Sequence, residues 1–435
     1  MRLRFIFMVL ICIRLSPVTV AQQPVQIYTA DIHHFWDAYD KIWSTPDTSL
    51  HMQILDSLFL SKATPGLTAI RERRNYTAQE YLNAIRNYPK FWASIRPNTL
   101  KADALGTELQ HGVEALKKVY PDLRPASIYF TIGVFRTNGT TLDSMILIGS
   151  ELAMADSQTD YSEFPEAEQS ARSAFFKTNP LHDLVLLNVH EYVHTQQNPP
   201  VDNLLSYVIF EGVAEFVSTY AMQLPSASPA IAFGKAHAQQ VRLAFEREMY
   251  YYNNYPKWLW SNAENEFGIR DLGYYIGYQM CENYMQSMDA ADAIKHMINL
   301  DYTQDAQIEA FVSQTGFFSQ SLDSLYSAFQ DRRPFILGFE EFPSGASRVP
   351  SQTQTITAVF SVPLNGLNTG IDYGPLGASA FPKVIDRYWN ADNTSWTLVV
   401  ELEPNKAYQL QFSNNFRTSD GLPLKPFLLE FSTVE

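Results

Sequence analysis

Cysteine is nearly missing from this chain, with two among 435 residues, Cys12 and Cys281. Cys12 falls in a predicted export signal, so Cys281 would stand alone, which excludes an internal disulfide framework and any thiolate-rich metal site. Positive charge is also scarce. Thirty-two Lys and Arg face 46 Asp and Glu, a formal net charge of -14, and such an acidic surface argues against nucleic acid or anionic membrane as a partner. No basic block, low-complexity tract or solenoid repeat is present. Any metal or acid-base chemistry must therefore be built from histidines and carboxylates. With 46% hydrophobic residues the chain can bury a large core in two or three structural units.

Residues 1-21, MRLRFIFMVLICIRLSPVTVA, run from a basic start through an apolar segment to a T-V-A ending. This pattern predicts a secretory signal peptide cut after Ala21. The apolar run is interrupted by Arg14 and is short for a membrane span. Cys12 lacks the small residues that precede a lipidated cysteine. The mature chain is expected in the periplasm, at the cell surface or outside the cell, with no integral membrane segment. Loss of Arg2, Arg4 and Arg14 would take the charge to -17, since the segment holds no acid.

Three regions follow. Over 22-123 apolar residues recur at helical spacing, as in Phe35 to Trp43, Met52 to Leu60 and Ala78 to Ile95, with breaks at Thr45-Pro46 and Thr64-Pro65-Gly66. Over 124-335 two β-rich runs, Arg124 to Phe135 and Ser144 to Met154, flank a polar Asn-Gly turn and predict a hairpin-like pair. Helical patterns then resume near Leu181 and continue to about Phe329. Over 340-435 short alternating segments such as ITAVFSVPL and AYQLQFS are separated by Pro, Gly, Asn and Asp, which predicts a β-sandwich. The fold class expected is α+β, with a mostly helical region, a small sheet and an all-β tail.

The chemistry concentrates in LLNVHEYVHTQQ, Leu186 to Gln197. A four-residue step on a helix turns about 400°, so His190 and His194 project from one face and can reach one ion. Glu191 lies on the flank of that face, where a carboxylate can act on water without binding the metal; HExxH in a zinc hydrolase requires this division. A catalytic zinc needs a third protein ligand. In YVIFEGVAEFVSTYAM, Glu211 and Glu215 are again four apart, among residues too apolar for a wet surface, so both acids need partners. Glu211 is the expected third ligand and Glu215 the expected acceptor of a ligand histidine's second ring N–H.

HEYVH followed by EGVAE resembles the gluzincin metallopeptidases, and more closely the bacterial secreted predicted zinc-dependent proteases, across roughly residues 28-330. The resemblance implies a zincin-like fold, zinc as cofactor, a peptide or protein substrate and Glu191 as general base. Two departures stand out. Only sixteen residues separate His194 from Glu211, with Glu215 where thermolysin-like enzymes carry an Asp, and the aminopeptidase Gly-Ala-Met-Glu-Asn type of strand is absent. The tail, through TITAVFSVPLN, LEPNKAYQLQFSNNFRTSDGLPL and FLLEFST, resembles bacterial Ig-like domains of surface proteins, which implies a cell-surface partner.

Other residues carry weaker signals. Tyr274, one helical turn before Gly277, is the expected donor to a reaction oxyanion, set against a packing role shared with Tyr275 and Tyr278. Glu151 would bind a substrate amino terminus or face solvent, and its strand could pair with an extended peptide. His33, His34, His182, His237 and His296 lack ligand spacing. The reading that results is an exported zinc metallohydrolase, foremost a peptidase. A zinc hydrolase of non-peptide amides or esters, and a non-catalytic zinc-containing binding protein, are the alternatives.

Overall fold

Thr64-Pro65-Gly66 starts a helix. The Thr64 hydroxyl accepts the Leu67 N–H, and Pro65, with no N–H to lose, takes the first helical position. Thr77 and Glu80 form a reciprocal capping box thirteen residues later. The periodic run 78-95 is two helices rather than one, divided at Tyr88-Pro89, because proline cannot donate within a helix. The computed structural model describes residues 24-251, 254-261 and 265-435, and the predicted export signal lies outside them. Its first helices are α1 (Ala30–Trp43), α2 (His51–Leu58), α3 (Pro65–Arg74), α4 (Ala78–Asn87), α5 (Pro89–Thr99) and α6 (Gly106–Val119).

A short strand β1 (Gln26–Tyr28) precedes them and joins β2 (Ser127–Thr131), β3 (Gly139–Leu142) and β4 (Met145–Gly149) in one sheet of order β1-β2-β4-β3. The two apolar runs are neighbours, as expected, but they are parallel, with Ser127 opposite Met145 and Thr131 opposite Gly149. The hairpin partner of β4 is Gly139–Leu142, inside the polar stretch read as a turn, and the reversal includes Asp143 at φ +51°. Burial explains the difference. After their first residues β2 and β4 are buried throughout, as central parallel strands are, while the half-buried, polar β3 suits the open edge.

Then come α7 (Ser150–Ala153), α8 (Glu166–Lys177), α9 (Leu184–His194), α10 (Leu204–Met222), α11 (Pro229–Ala236), α12 (Ala238–Glu248), α13 (Tyr255–Trp258), α14 (Leu272–Met285), α15 (Ala290–Ile298), α16 (Asp305–Thr315) and α17 (Leu322–Arg332). α10 is long and apolar enough to cross a membrane, yet 72% of it is buried inside the protein. It packs against α6, α9 and α14 as a core helix. One continuous core runs from Ile32 in α1 to Leu325 in α17 and includes β2 and β4, so the N-terminal helices and the middle region share an interior.

The tail forms two four-stranded sheets. β5 (Ile336–Phe339), β7 (Thr355–Phe360), β10 (Ser395–Glu401) and β9 (Lys383–Trp389) make one, in the order β5-β7-β10-β9. β6 (Ala346–Pro350), β12 (Phe427–Val434), β11 (Ala407–Phe412) and β8 (Ile371–Tyr373) make the other. Pairing is antiparallel except between β6 and β12. Ile356, Trp396 and Leu398 of the first sheet share a second core with Leu410, Phe412 and Leu429 of the other. The architecture is thus α+β, with an all-β C-terminal part.

Candidate metal centre

α9 begins with the apolar run LVLLNV, which seats it in the core and carries His190, Glu191 and His194 inward at its end. The two imidazoles lie edge to face, centroids 4.7 Å apart, with their Nε2 atoms separated by 3.1 Å. Each Nδ1 has its own acceptor: Glu215 Oε2 at 3.0 Å from His190, and Gln197 Oε1 at 2.8 Å from His194. Those acceptors draw the ring protons to Nδ1 and turn both Nε2 lone pairs toward one space. Glu211 Oε2 enters the same space, 3.3 Å from His194 Nε2 and 3.5 Å from His190 Nε2.

Three donor atoms therefore stand 3.1 to 3.5 Å apart. The donors of a tetrahedral centre with bonds of about 2.0–2.1 Å stand about 3.3–3.4 Å apart. The residues fit, and the buried group His190, His194 and Glu211 could hold a metal ion. Electrostatics points the same way. Glu191, Glu211 and Glu215 are all buried, facing two imidazoles. Without an ion, burial opposes protonation of His190, but its bonds to Glu211 and Glu215 outweigh that and lift its pKa to about 10. Burial likewise pushes Glu211 up, yet His194 and His190 hold it far below the usual carboxylate range. The site calls for positive charge, which a bound cation would supply.

The supporting contacts extend outward. Gln197 Nε2 donates to the Phe210 carbonyl at 3.0 Å, fixing the amide that holds His194. The His194 ring stacks on Phe210, centroids 4.3 Å apart. Ser226 donates to the second oxygen of Glu215. Glu191 makes no such bond to the histidines. Burial raises its pKa against the pull of His194 and His190. Edge strand β3 passes directly against it, since a Cβ at Gly139 would lie 2.6 Å from Glu191 Oε1. A larger residue there would push the Glu191 carboxylate aside.

Tyr274 reaches the centre through a backbone contact. A Cβ on Gly212 would lie 2.2 Å from the Gly277 carbonyl carbon, and one on Gly277 2.0 Å from the Val208 oxygen, so α10 and α14 touch where both lack side chains. One turn before Gly277, the Tyr274 ring faces His190 with centroids 6.1 Å apart. The Tyr274 oxygen accepts the Trp260 indole N–H at 3.2 Å, and its own proton goes toward Glu211. Burial first, then the charge of Glu211, raises the phenol's pKa well above its ordinary value. Tyr275 and Tyr278 instead pack, against Gly234 and against Phe216.

The structure places Glu151 differently from either expectation. It lies on α7, not on the strand, and is fully buried, accepting the N–H groups of Gly133 at 2.9 Å and Phe135 at 3.1 Å. Its role is to hold that loop. β4 cannot pair with a peptide, being flanked by β2 and β3; the edges of this sheet are β1 and β3, and β3 is the one beside Glu191. Cys281 is buried. His33 and His182 pair with Asp103 and Asp183 at the surface, His237 and His296 bond to Phe233 and Tyr284, and His34 is partly buried; none joins the metal group. Gln197, Ser226, Trp260 and Gly139 were not singled out from the sequence. Polar, aromatic and glycine residues in loops carry no spacing signal toward the site.

No family model and no curated protein matches the chain. Among solved structures it is similar to CopC from Methylosinus trichosporium OB3b, 17% identical over 23% of this chain and 94% of that one, TM-score 0.20. It is also similar to the S-layer protein rSbsC(31-844), 10% identical over 93% of this chain and 44% of that one, TM-score 0.18. The N-terminal part of the bacterial S-layer protein SbsC is 11% identical over 93% and 77%, TM-score 0.18. Scores this low carry no argument about fold or function.

Proposed function

We propose that this chain is an exported zinc-dependent hydrolase, foremost a peptidase, with a zincin-like catalytic region and an Ig-like C-terminal unit offering a surface for a cell-surface partner. The carrying observation is the convergence of His190 Nε2, His194 Nε2 and Glu211 Oε2 beside a second, differently held carboxylate, Glu191. Two imidazoles and one carboxylate are a donor set that suits zinc with a position left for water. When bound, zinc supplies Lewis acidity toward water and a substrate carbonyl.

The chain's own residues do the remainder. Glu191 takes the proton of the attacking water and returns it to the leaving nitrogen as the C–N bond breaks. Tyr274, its oxygen accepting from Trp260, donates to the carbonyl oxygen as negative charge develops there. The outer edge of β3, on which no strand pairs among the described residues, offers main-chain hydrogen bonds to an extended substrate beyond Gly139, whose own N–H and carbonyl bond the Asn138 and Thr137 side chains.

The test is zinc content together with cleavage of a peptide library by the wild type and by Glu191→Gln. One equivalent of zinc is expected in both, with cleavage reduced about 10²- to 10⁴-fold in the variant. Zinc without cleavage of any peptide would favour a non-peptide amide or ester, or a binding role. Metal-replete protein lacking bound metal would overturn the reading.

A further inference from the structure

Arg74 closes the last turn of α3 and is partly buried. Its Nη2 donates to Thr137 Oγ1 at 3.2 Å, and the Thr137 hydroxyl donates in turn to the Gly139 carbonyl, in the strand that passes against Glu191. Its Nε is buried with no acceptor. Arg136 is matched by Glu80 and Arg172 by Glu168, but among the described residues no carboxylate lies within ion-pair distance of Arg74 or of Arg71 one turn earlier, and of these two Arg74 is the one bonded to Thr137 beside β3. It acts on Glu191 through its field rather than through a bond.

A half-buried guanidinium with unused N–H groups loses hydration and regains it from a planar anion that accepts two parallel bonds. The charge of Glu191, which Arg74 feels, disfavours a dianion there and leaves a monoanionic carboxylate as the suitable ligand. We propose that Arg74 receives a carboxylate of the substrate, a free C-terminus or an acidic side chain, within a residue or two of the bond that is cleaved. The proposal rests on the hydrolase reading for its location. Because Thr137, which bonds Arg74, precedes β3 by two residues, a chain lying along that edge past Glu191 brings its next groups to Arg74.

The experiment is calorimetric binding to zinc-replete Glu191→Gln protein, which holds substrate without turnover. The probes are N-acetylated pentapeptides as free acids, the same peptides as C-terminal amides, and amides with one Glu at each position, with N-acetylglycine and its amide as the smallest pair. At least one carboxylate form should bind about ten- to a hundredfold more tightly than its neutral counterpart. Adding Arg74→Gln should abolish that difference and Arg74→Lys restore part of it, with zinc content and circular dichroism unchanged. Preference among acids with free C-termini identifies one source, and preference among Glu-bearing amides the other. The proposal is overturned if acids and amides bind alike, if the preference survives Arg74→Gln, if that variant weakens both forms equally, or if no carboxylate probe binds. The acid and amide comparison needs no Arg74 variant to fold. Loss of zinc or of wild-type cleavage bears instead on the hydrolase reading.

Discussion

Four buried carboxylates set the electrostatics around the candidate centre, and each is held differently. Glu211 and Glu215 lie against imidazoles, Glu191 has none in bonding contact, and Glu151 rests on the backbone N–H groups of Gly133 and Phe135. Burial raises the Glu151 pKa from its ordinary 4.5, and those two hydrogen bonds only partly offset it. A folded-state pKa above the unfolded value means that the folded chain binds more protons in the window between them, so stability falls as pH rises. Glu151 therefore contributes fully below about pH 4.5 and loses that contribution as pH rises through its folded pKa. Urea midpoints of the wild type and Glu151→Gln, measured from pH 4.5 to 8, should show the wild type losing ground to the variant with increasing pH. Parallel curves would sink the argument. The sequence marked Glu151 as a strand acid, since alternation cannot reveal that Gly149 ends β4 and a short helix folds the carboxylate inward.

Helix contact decides whether the candidate donor meets the candidate ligands. Gly212 and Gly277 let the backbones of α10 and α14 touch, which carries Tyr274 to within ring distance of His190. A methyl at Gly277 would collide with the Val208 carbonyl, a backbone atom that cannot rotate away. Gly277→Ala should cost about 1–3 kcal/mol of stability and lower peptide cleavage more than zinc content, because Tyr274 moves while His190, His194 and Glu211 stay on α9 and α10. Gly106→Ala, where a Cβ meets nothing within 4 Å, should shift stability within about 0.5 kcal/mol. Thermal melts, zinc analysis and cleavage assays of both variants test this pair. The three-residue step from Tyr274 to Gly277, about one turn, was legible as helix periodicity. The reach of β3 to Glu191 was not, because a polar edge strand has the composition of a turn.

At the scale of the whole molecule there are two large cores, one from Ile32 to Leu325 and one within the β-sheets, bridged by a small cluster of Tyr251, Phe329 and Leu422. Arg333 adds bonds to the carbonyls of Pro423 and Leu424, and Lys425 N–H donates to Pro334 at 2.8 Å. So slight a bridge leaves each core to melt on its own. Calorimetry should resolve two transitions, of which saturating zinc raises only the helical one, by about 2.7 kcal/mol at a free concentration a hundred times Kd. A single transition, or zinc raising both, would contradict that division.

From its sequence alone this protein declares its α+β class, its all-β tail and the pairing of His190 with His194, because helical and strand periodicity and a four-residue step are local properties of the chain. Glu211 and Glu215 were legible as acids needing partners, since an apolar helix cannot leave them bare. Tertiary structure decided what lies between distant segments. It brought Gln197 and Ser226 to the acids and rings of the site, ran β2 parallel to β4, and set Trp260 on Tyr274 and Thr137 on Arg74. Those contacts depend on how separate elements pack, and no local spacing in the chain encodes them.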